Sequence, residues 1–154
     1  MERTLIILKP DCVNRGLLGE VLMRIERKGL KVVGMKMVKP SKSVWDEHYA
    51  HLKDKPFFPR LVEFMSSSPV VFAVIEGKDA VRVLRDLCGK TNARDAAPGT
   101  IRGDLAMSTQ SNIIHASDSL ETAQKEVARF FKKEELFEYA RVTEDLLYAK
   151  DERA

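Results

Sequence analysis

The chain has 154 residues, 44% of them hydrophobic and 32% charged, with a formal net charge of +3. That length and apolar content suit one domain over residues 1–154, and no apolar run approaches the roughly 20 residues that a membrane-spanning helix needs. The charge is too mild and too scattered to indicate nucleic-acid binding by itself, and the two cysteines, Cys12 and Cys88, make neither a disulfide framework nor a metal-ligand spacing. The N-terminus enters a strand-like run at once, with no signal-peptide layout, so a reduced, cytoplasmic setting is expected.

Thr4-Leu5-Ile6-Ile7-Leu8 reads as a buried strand stopped by Lys9-Pro10-Asp11. Leu18, Val21, Leu22 and Ile25 recur at helical spacing between Leu17 and Arg27, and Gly29 is the stop. Lys31 to Val38 reads as a second strand. Two short helices follow as a hairpin, one begun by Ser43 and Asp46 and broken at Lys55-Pro56, the other from about Pro59 to Ser66. Val70 to Ile75 is continuously apolar and reads as a central strand. Asp79 to Cys88 is amphipathic, with Ala80, Val83, Leu84 and Leu87 on one side. Residues 89 to 111 show no periodicity, and a structureless stretch longer than about 15 residues inside a compact domain is usually functional or disordered. Ile113 and Ile114 form the last strand, Ser119 to Phe131 the last long helix, and Lys132 to Ala154 a polar tail. With the hairpin as an insertion, the order is β-α-β-β-α-β. The expected fold is therefore α+β: a ferredoxin-like sandwich whose four-stranded antiparallel sheet has helices on one face, with an inserted hairpin and a long loop.

Asn112-Ile113-Ile114-His115-Ala116-Ser117-Asp118 sets an imidazole at the end of a strand, directly before a helix start. Imidazole is nucleophilic near neutral pH, and helix N-termini favour anions. Asp118 and Glu121 have capping-box spacing. Glu126 falls at the border of the apolar arc of that helix, from which it can reach back to orient His115; a solvated pairing with lysine or water is the alternative. Lys9 ends the first strand, where an ordinary exposed lysine is the plainer reading. Arg85 and Thr91 flank the start of the long loop and Arg102 lies within it. Together they can clamp phosphates by charge-assisted hydrogen bonds, or serve only as surface salt bridges. Phe57 and Phe58 cannot both face one core, and an exposed phenyl in a cleft suits stacking on a base. Walker-type and dinucleotide-binding glycine motifs are missing from the sequence. His48 and His51, three apart, are too few to argue for zinc, and any Mg2+ would travel on nucleotide phosphates.

These residues carry a family resemblance over nearly the whole chain. Leu8-Lys9-Pro10-Asp11, Arg15-Gly16-Leu17, Glu47-His48-Tyr49, Lys55-Pro56-Phe57-Phe58, Ser68-Pro69-Val70, Pro98-Gly99-Thr100-Ile101-Arg102-Gly103-Asp104 and Asn112 to Ser119 closely resemble the nucleoside diphosphate kinases. The resemblance implies ping-pong transfer of a γ-phosphoryl group from any nucleoside triphosphate to any nucleoside diphosphate through a phosphohistidine. It casts His115 as nucleophile, with Glu126 and Ser117 orienting it. Lys9, Tyr49, Arg85, Thr91, Arg102 and Asn112 are cast as ligands of phosphates and sugar hydroxyls, Phe57 as the base-stacking aromatic, and Mg2+ as the nucleotide's companion. It also implies a homo-oligomer, with a hexamer favoured over a tetramer.

Two departures stand out. Cys12 occupies a position where the family usually has glycine, which implies strain if φ is positive there and leaves redox sensitivity open. Ala93 stands where a proline is common, which should loosen the loop in the unfolded chain. Two rival readings remain in view. One is a non-catalytic nucleotide or nucleic-acid binding module, disfavoured because Phe72 is the only aromatic on the strands. The other is a protein histidine phosphodonor, which shares His115.

Overall fold

The computed structural model describes residues 1–152; the last two residues of the polar tail lie outside them. Strands β1 (Glu2–Leu8), β2 (Lys31–Val38), β3 (Val70–Gly77) and β4 (Ile114–Ala116) form one antiparallel sheet in the order β2-β3-β1-β4. This is the βαββαβ topology expected from the sequence. Helix α2 (Leu18–Arg27) joins β1 to β2, and α5 (Ala80–Cys88) leads from β3 towards β4. The inserted hairpin is α3 (Lys42–His48) and α4 (Phe58–Ser66), and α7 (Leu120–Phe130) follows β4.

The sheet is covered on both faces, not one. Ile6, Leu8, Val71, Ala73 and Ile75 pack with Val21 and Ile25 of α2 and with Ala80 and Leu84 of α5. Leu5, Ile7, Val70, Phe72 and Val74 pack with Trp45 of α3, Leu61, Val62 and Met65 of α4, and Val127 and Phe130 of α7. Alternate residues of a strand point to opposite faces, so β1 and β3 are continuously apolar where both faces are covered, over Leu5–Leu8 and Val70–Ile75. The periodicity of α7 registers only that one side is apolar; it does not say which face of the sheet receives it.

Some local readings change. Lys9-Pro10-Asp11 ends β1 but also starts a short helix, α1 (Pro10–Asn14), with proline at its first position, where the missing N–H costs nothing. Cys12 lies buried in that helix and is not among the positive-φ residues, so it carries no backbone strain. Its thiol is pushed up to about 12 by burial and then by the Asp11 charge, which disfavours the reactive thiolate. The long loop contains a 3-10 turn at Ala93–Asp95 and helix α6 (Ile101–Leu105). Thr100 caps α6, its hydroxyl oxygen accepting from the Gly103 N–H at 3.0 Å. A Cβ at Gly103 would meet the Ala97 carbonyl oxygen at 2.0 Å, so only glycine fits that turn. Helix α7 is capped by Ser119, which accepts from the Thr122 N–H, and not by Asp118. The Ser117 N–H still bonds to the Leu5 carbonyl, so the chain leaves the sheet later than the Asp118/Glu121 spacing implies.

The tail returns along β2. β2 shifts register between Val32 and Gly34, and the Val33 carbonyl accepts from the Phe137 N–H at 2.8 Å. Arg141 donates to the Gly29 and Leu30 carbonyls, and a last short α-helix, α8 (Glu144–Leu147), is followed by a 3-10 turn at Lys150–Glu152.

Candidate active site

In the antiparallel pair β1–β4, His115 lies opposite Ile7. Directly opposed residues share a face, so the imidazole projects to the side occupied by the hairpin and α7. On α7, Ala123 and Glu126 are buried three residues apart on the sheet-facing side. Both oxygens of Glu126 lie close to His115 Nε2, at 3.0 and 3.1 Å. The Ser117 hydroxyl donates to Glu126 Oε2 at 2.6 Å. Burial acts to raise the Glu126 pKa, but the bonds and charges of His115 and Ser117 outweigh it and hold the carboxyl below its usual range. With Nε2 turned to this carboxylate, Nδ1 is the ring nitrogen left for chemistry.

His115 and Glu126 sit on the wall of a cavity of about 510 Å3. The same cavity is lined by Lys9, Tyr49, Phe57, Arg85, Thr91, Arg102 and Asn112. Thus every candidate residue reaches it except Ser117, which stands behind Glu126. Their local roles differ more than their sequence positions suggest.

Lys9 is not an exposed lysine but a buried one; its ammonium donates to Asn112 Oδ1 at 2.6 Å and to the Gln110 carbonyl at 3.3 Å. Burial, then the Arg102 charge, lower its pKa to about 8, against the opposing pull of Asp11. The Asn112 amide is fully engaged by protein, since its nitrogen donates to the Thr91 and Thr109 carbonyls, both at 2.8 Å. Arg102 binds the carbonyls of Gly89, Ile114 and Asn112 at 2.8, 2.6 and 3.4 Å, tying the long loop to β4 and leaving its remaining N–H groups for a ligand. Arg85 and Thr91 are exposed at the cavity wall. Tyr49 is buried, and its hydroxyl has no hydrogen-bond partner among the described residues. Burial, then the Glu126 charge, push that phenol above its usual value, so it stays a donor. Phe57 is 41% exposed while Phe58 packs inward against the hairpin core, which resolves the Phe57/Phe58 alternative.

The sequence assigned no role to several neighbours. His48, buried on α3, lies beneath His115 with ring centroids 5.0 Å apart, and its Nε2 is 3.8 Å from Glu126. Burial, then the His115 charge, lower its pKa to about 3, so it is neutral at physiological pH. His48, His115 and Glu126 are the group of potential metal ligands found among the described residues. Asp118 and Thr122 also line the cavity, as do Leu61 and Gln110. Thr122 lies one turn before Glu126 on the same helix, a signal that was available in the sequence; Gln110 arrives from the aperiodic loop, where none was.

Comparison with known proteins identifies the family. The family model described as nucleoside diphosphate kinase matches residues 2–136. A nucleoside diphosphate kinase of Parabacteroides distasonis is 57% identical, over 99% of each chain. One from Pyrococcus horikoshii is 51% identical, over 97% of this chain and 96% of its own. Among solved structures, the Halobacterium salinarum nucleoside diphosphate kinase in complex with CDP superposes with a TM-score of 0.93 at 46% identity, covering 96% of this chain and 99% of that one. A nucleoside diphosphate kinase family protein from Babesia bovis gives a TM-score of 0.91 at 44% identity, over 96% of this chain and 100% of its own. The chain belongs to the nucleoside diphosphate kinase family, a family of phosphotransferases.

Proposed function

We propose that the chain, working as one domain over residues 1–154, passes the γ-phosphoryl group of a nucleoside triphosphate to a nucleoside diphosphate by way of His115. One observation carries this reading: His115 is backed at Nε2 by the Glu126 carboxylate, in a cavity whose walls include Lys9, Arg85 and Arg102. In the first half-reaction the Nδ1 lone pair attacks the γ-phosphorus and the bond to the β–γ bridging oxygen breaks. The diphosphate leaves with that electron pair. The ring becomes cationic, and Glu126, held by Ser117, stabilises it. In the second half a β-phosphate oxygen of the incoming diphosphate attacks phosphorus, and the P–N bond breaks. Lys9 and the two arginines supply fixed positive charge to the transferring group, which matters because phosphoryl transfer depends on positioning and charge more than on covalent assistance. The covalent intermediate gives ping-pong kinetics and lets one cavity serve both nucleotides in turn.

The unpartnered Tyr49 hydroxyl is a donor in need of an acceptor, which a phosphate or sugar oxygen provides. Phe57 offers a flat face to the base, and a stacking contact accepts every base. The His48–His115–Glu126 group is rich in imidazole, whereas Mg2+ prefers oxygen ligands. Mg2+ therefore enters on the nucleotide phosphates and, when bound, neutralises part of their charge. The chain is read as a cytoplasmic homo-oligomer, hexameric before tetrameric. The free, buried cysteines fit a reducing setting, and the exposed Met35 and Met37 on edge strand β2 fit a face that a second copy covers. Light scattering tests the assembly.

Covered sheet faces favour this function over a nucleic-acid platform, which needs exposed aromatics on its sheet. The test is a coupled assay of diphosphate phosphorylation by Mg-ATP on the native chain and on His115→Ala. Loss of turnover in a folded variant is expected; turnover at the native rate would overturn the assignment. Incubating the phosphorylated chain with other proteins, free diphosphates removed, tests the phosphodonor alternative.

A further inference from the structure

Ile113 has φ +73°, and the Ile114 N–H donates to the Asn112 carbonyl at 2.8 Å. These three residues form a γ-turn of the rare positive-φ kind. A β-branched residue takes that conformation only when its surroundings hold it there. Here the hold comes from several sides. Asp11 Oδ2 accepts from the Ile113 N–H at 3.0 Å. The Lys9 N–H donates to the Ile113 carbonyl at 2.9 Å. Arg102 grips the carbonyls on either side, and the Ile113 side chain is fully buried. The turn swings the Asn112 amide onto the Lys9 ammonium and delivers His115, two residues on, to its place opposite Ile7.

Of these holds, Asp11 alone comes from a side chain with no part in the proposed transfer. Its second oxygen, Oδ1, is buried without a hydrogen bond among the described residues, so the carboxylate is aimed at this backbone N–H and not at solvent. Its negative charge also favours the ammonium form of Lys9, opposing Arg102.

We propose that Asp11 is a positioning residue: it holds the strained turn that aims His115 at the transferring phosphate. The proposal rests on His115 as the phosphoryl acceptor. Besides Asp11 of α1, Arg102 of α6 acts on Lys9, and the cavity it lines also holds the charged or titratable Arg85, Tyr49, His51, His115, Asp118 and Glu126.

The test uses Asp11→Ala, Asp11→Asn and Asp11→Ala/Ile113→Gly. Phosphorylation of the chain by Mg-ATP is measured by rapid quench from pH 6 to 10, with melting temperatures alongside. Asp11→Ala is expected to slow phosphorylation by about tenfold or more, because small misplacements of reacting groups cost that much. Asn retains an oxygen to accept the Ile113 N–H, so Asp11→Asn should be faster than Asp11→Ala. Lacking the charge, it should move the alkaline limb of the profile down by about one pH unit. Glycine tolerates positive φ, so Ile113→Gly should recover part of the rate lost in Asp11→Ala while lowering the melting temperature. If Asp11→Ala lowers only the melting temperature, or if Asp11→Asn is no faster than Asp11→Ala, the positioning role is overturned. If the native chain itself takes up no acid-labile phosphoryl, the phosphotransfer reading falls as well, a result distinct from both.

Discussion

Glu126→Gln keeps the outline of the carboxylate and removes its charge. Both Glu126 oxygens lie about 3 Å from His115 Nε2, and the side chain is buried, so water screens the pair weakly. A hydrogen bond to a charged group contributes about 1.5–3 kcal/mol, and this one strengthens as Nδ1 takes the phosphoryl and the ring becomes cationic. Glutamine still offers one oxygen to Nε2–H and to the Ser117 hydroxyl, so the loss falls on the charge. At about 2–3 kcal/mol, the phosphorylation rate should drop by about 30- to 150-fold. Rapid-quench measurement of phosphohistidine formation reads this directly, with nucleotide affinity measured separately because Glu126 binds the ring and not the base. A variant that phosphorylates within about twofold of the native chain would refute the claim that Glu126 stabilises the charged ring. Stability supplies a second readout. The folded carboxyl is held below its unfolded value, so the stability it contributes is present above about pH 4 and is lost as pH falls through the folded pKa. The unfolding of Glu126→Gln should depend less on pH in that acidic window.

Lys9, with its pKa lowered to about 8, should lose its proton as pH rises through that value, so turnover should decline there, and Lys9→Gln should flatten the decline. The sign for stability is opposite: burying the charged Lys9 costs stability below about 8, and that cost is relieved as pH rises from there to the ordinary 10.5, measurable by denaturant titration at pH 7 and pH 10. Phe57→Ala should raise KM for every diphosphate by a similar factor, about 5- to 30-fold for a lost stacking contact of 1–2 kcal/mol, with little change in melting temperature because the ring is already partly exposed. A base-selective change would argue against stacking. Arg102→Lys should destabilise the fold by about 2–4 kcal/mol as well as slow turnover, because an ammonium cannot span the Gly89, Asn112 and Ile114 carbonyls together; a stability within about 0.5 kcal/mol of native would contradict that anchoring role.

The succession of strands and the helices α2, α5 and α7 are legible because their apolar spacing is strong and glycine or proline marks several of their bounds, although the α7 cap falls on Ser119 and not on Asp118. The hairpin is legible from its apolar spacing and the break at Lys55-Pro56, whereas the sequence says only that Phe57 and Phe58 cannot both face one core, and packing decides that Phe57 is the exposed one. What escaped the reading depends on long-range geometry. Apolar spacing shows that the side of α7 bearing Ala123 and Val127 is buried, but only the register of His115 opposite Ile7 puts that side over the sheet face beneath the hairpin. Lys9 reads as a surface residue until Asn112 and the Gln110 carbonyl, some hundred positions away, close over it. His48 is one helical residue among others until α3 seats it under His115. The γ-turn at Ile113 has no local signature at all, since isoleucine is a poor choice for positive φ and the groups bonded to the turn, from Asp11, Lys9 and Arg102, lie outside it in sequence.

The most direct measurement is to label the chain with Mg-ATP carrying a marked γ-phosphate, remove the nucleotide, and locate the marked atom by peptide mapping and phosphorus NMR. A single acid-labile, base-stable phosphoryl on Nδ1 of His115 is the expected result, absent from His115→Ala. A phosphoryl on Nε2, on another residue, or undiminished in His115→Ala would contradict the mechanism.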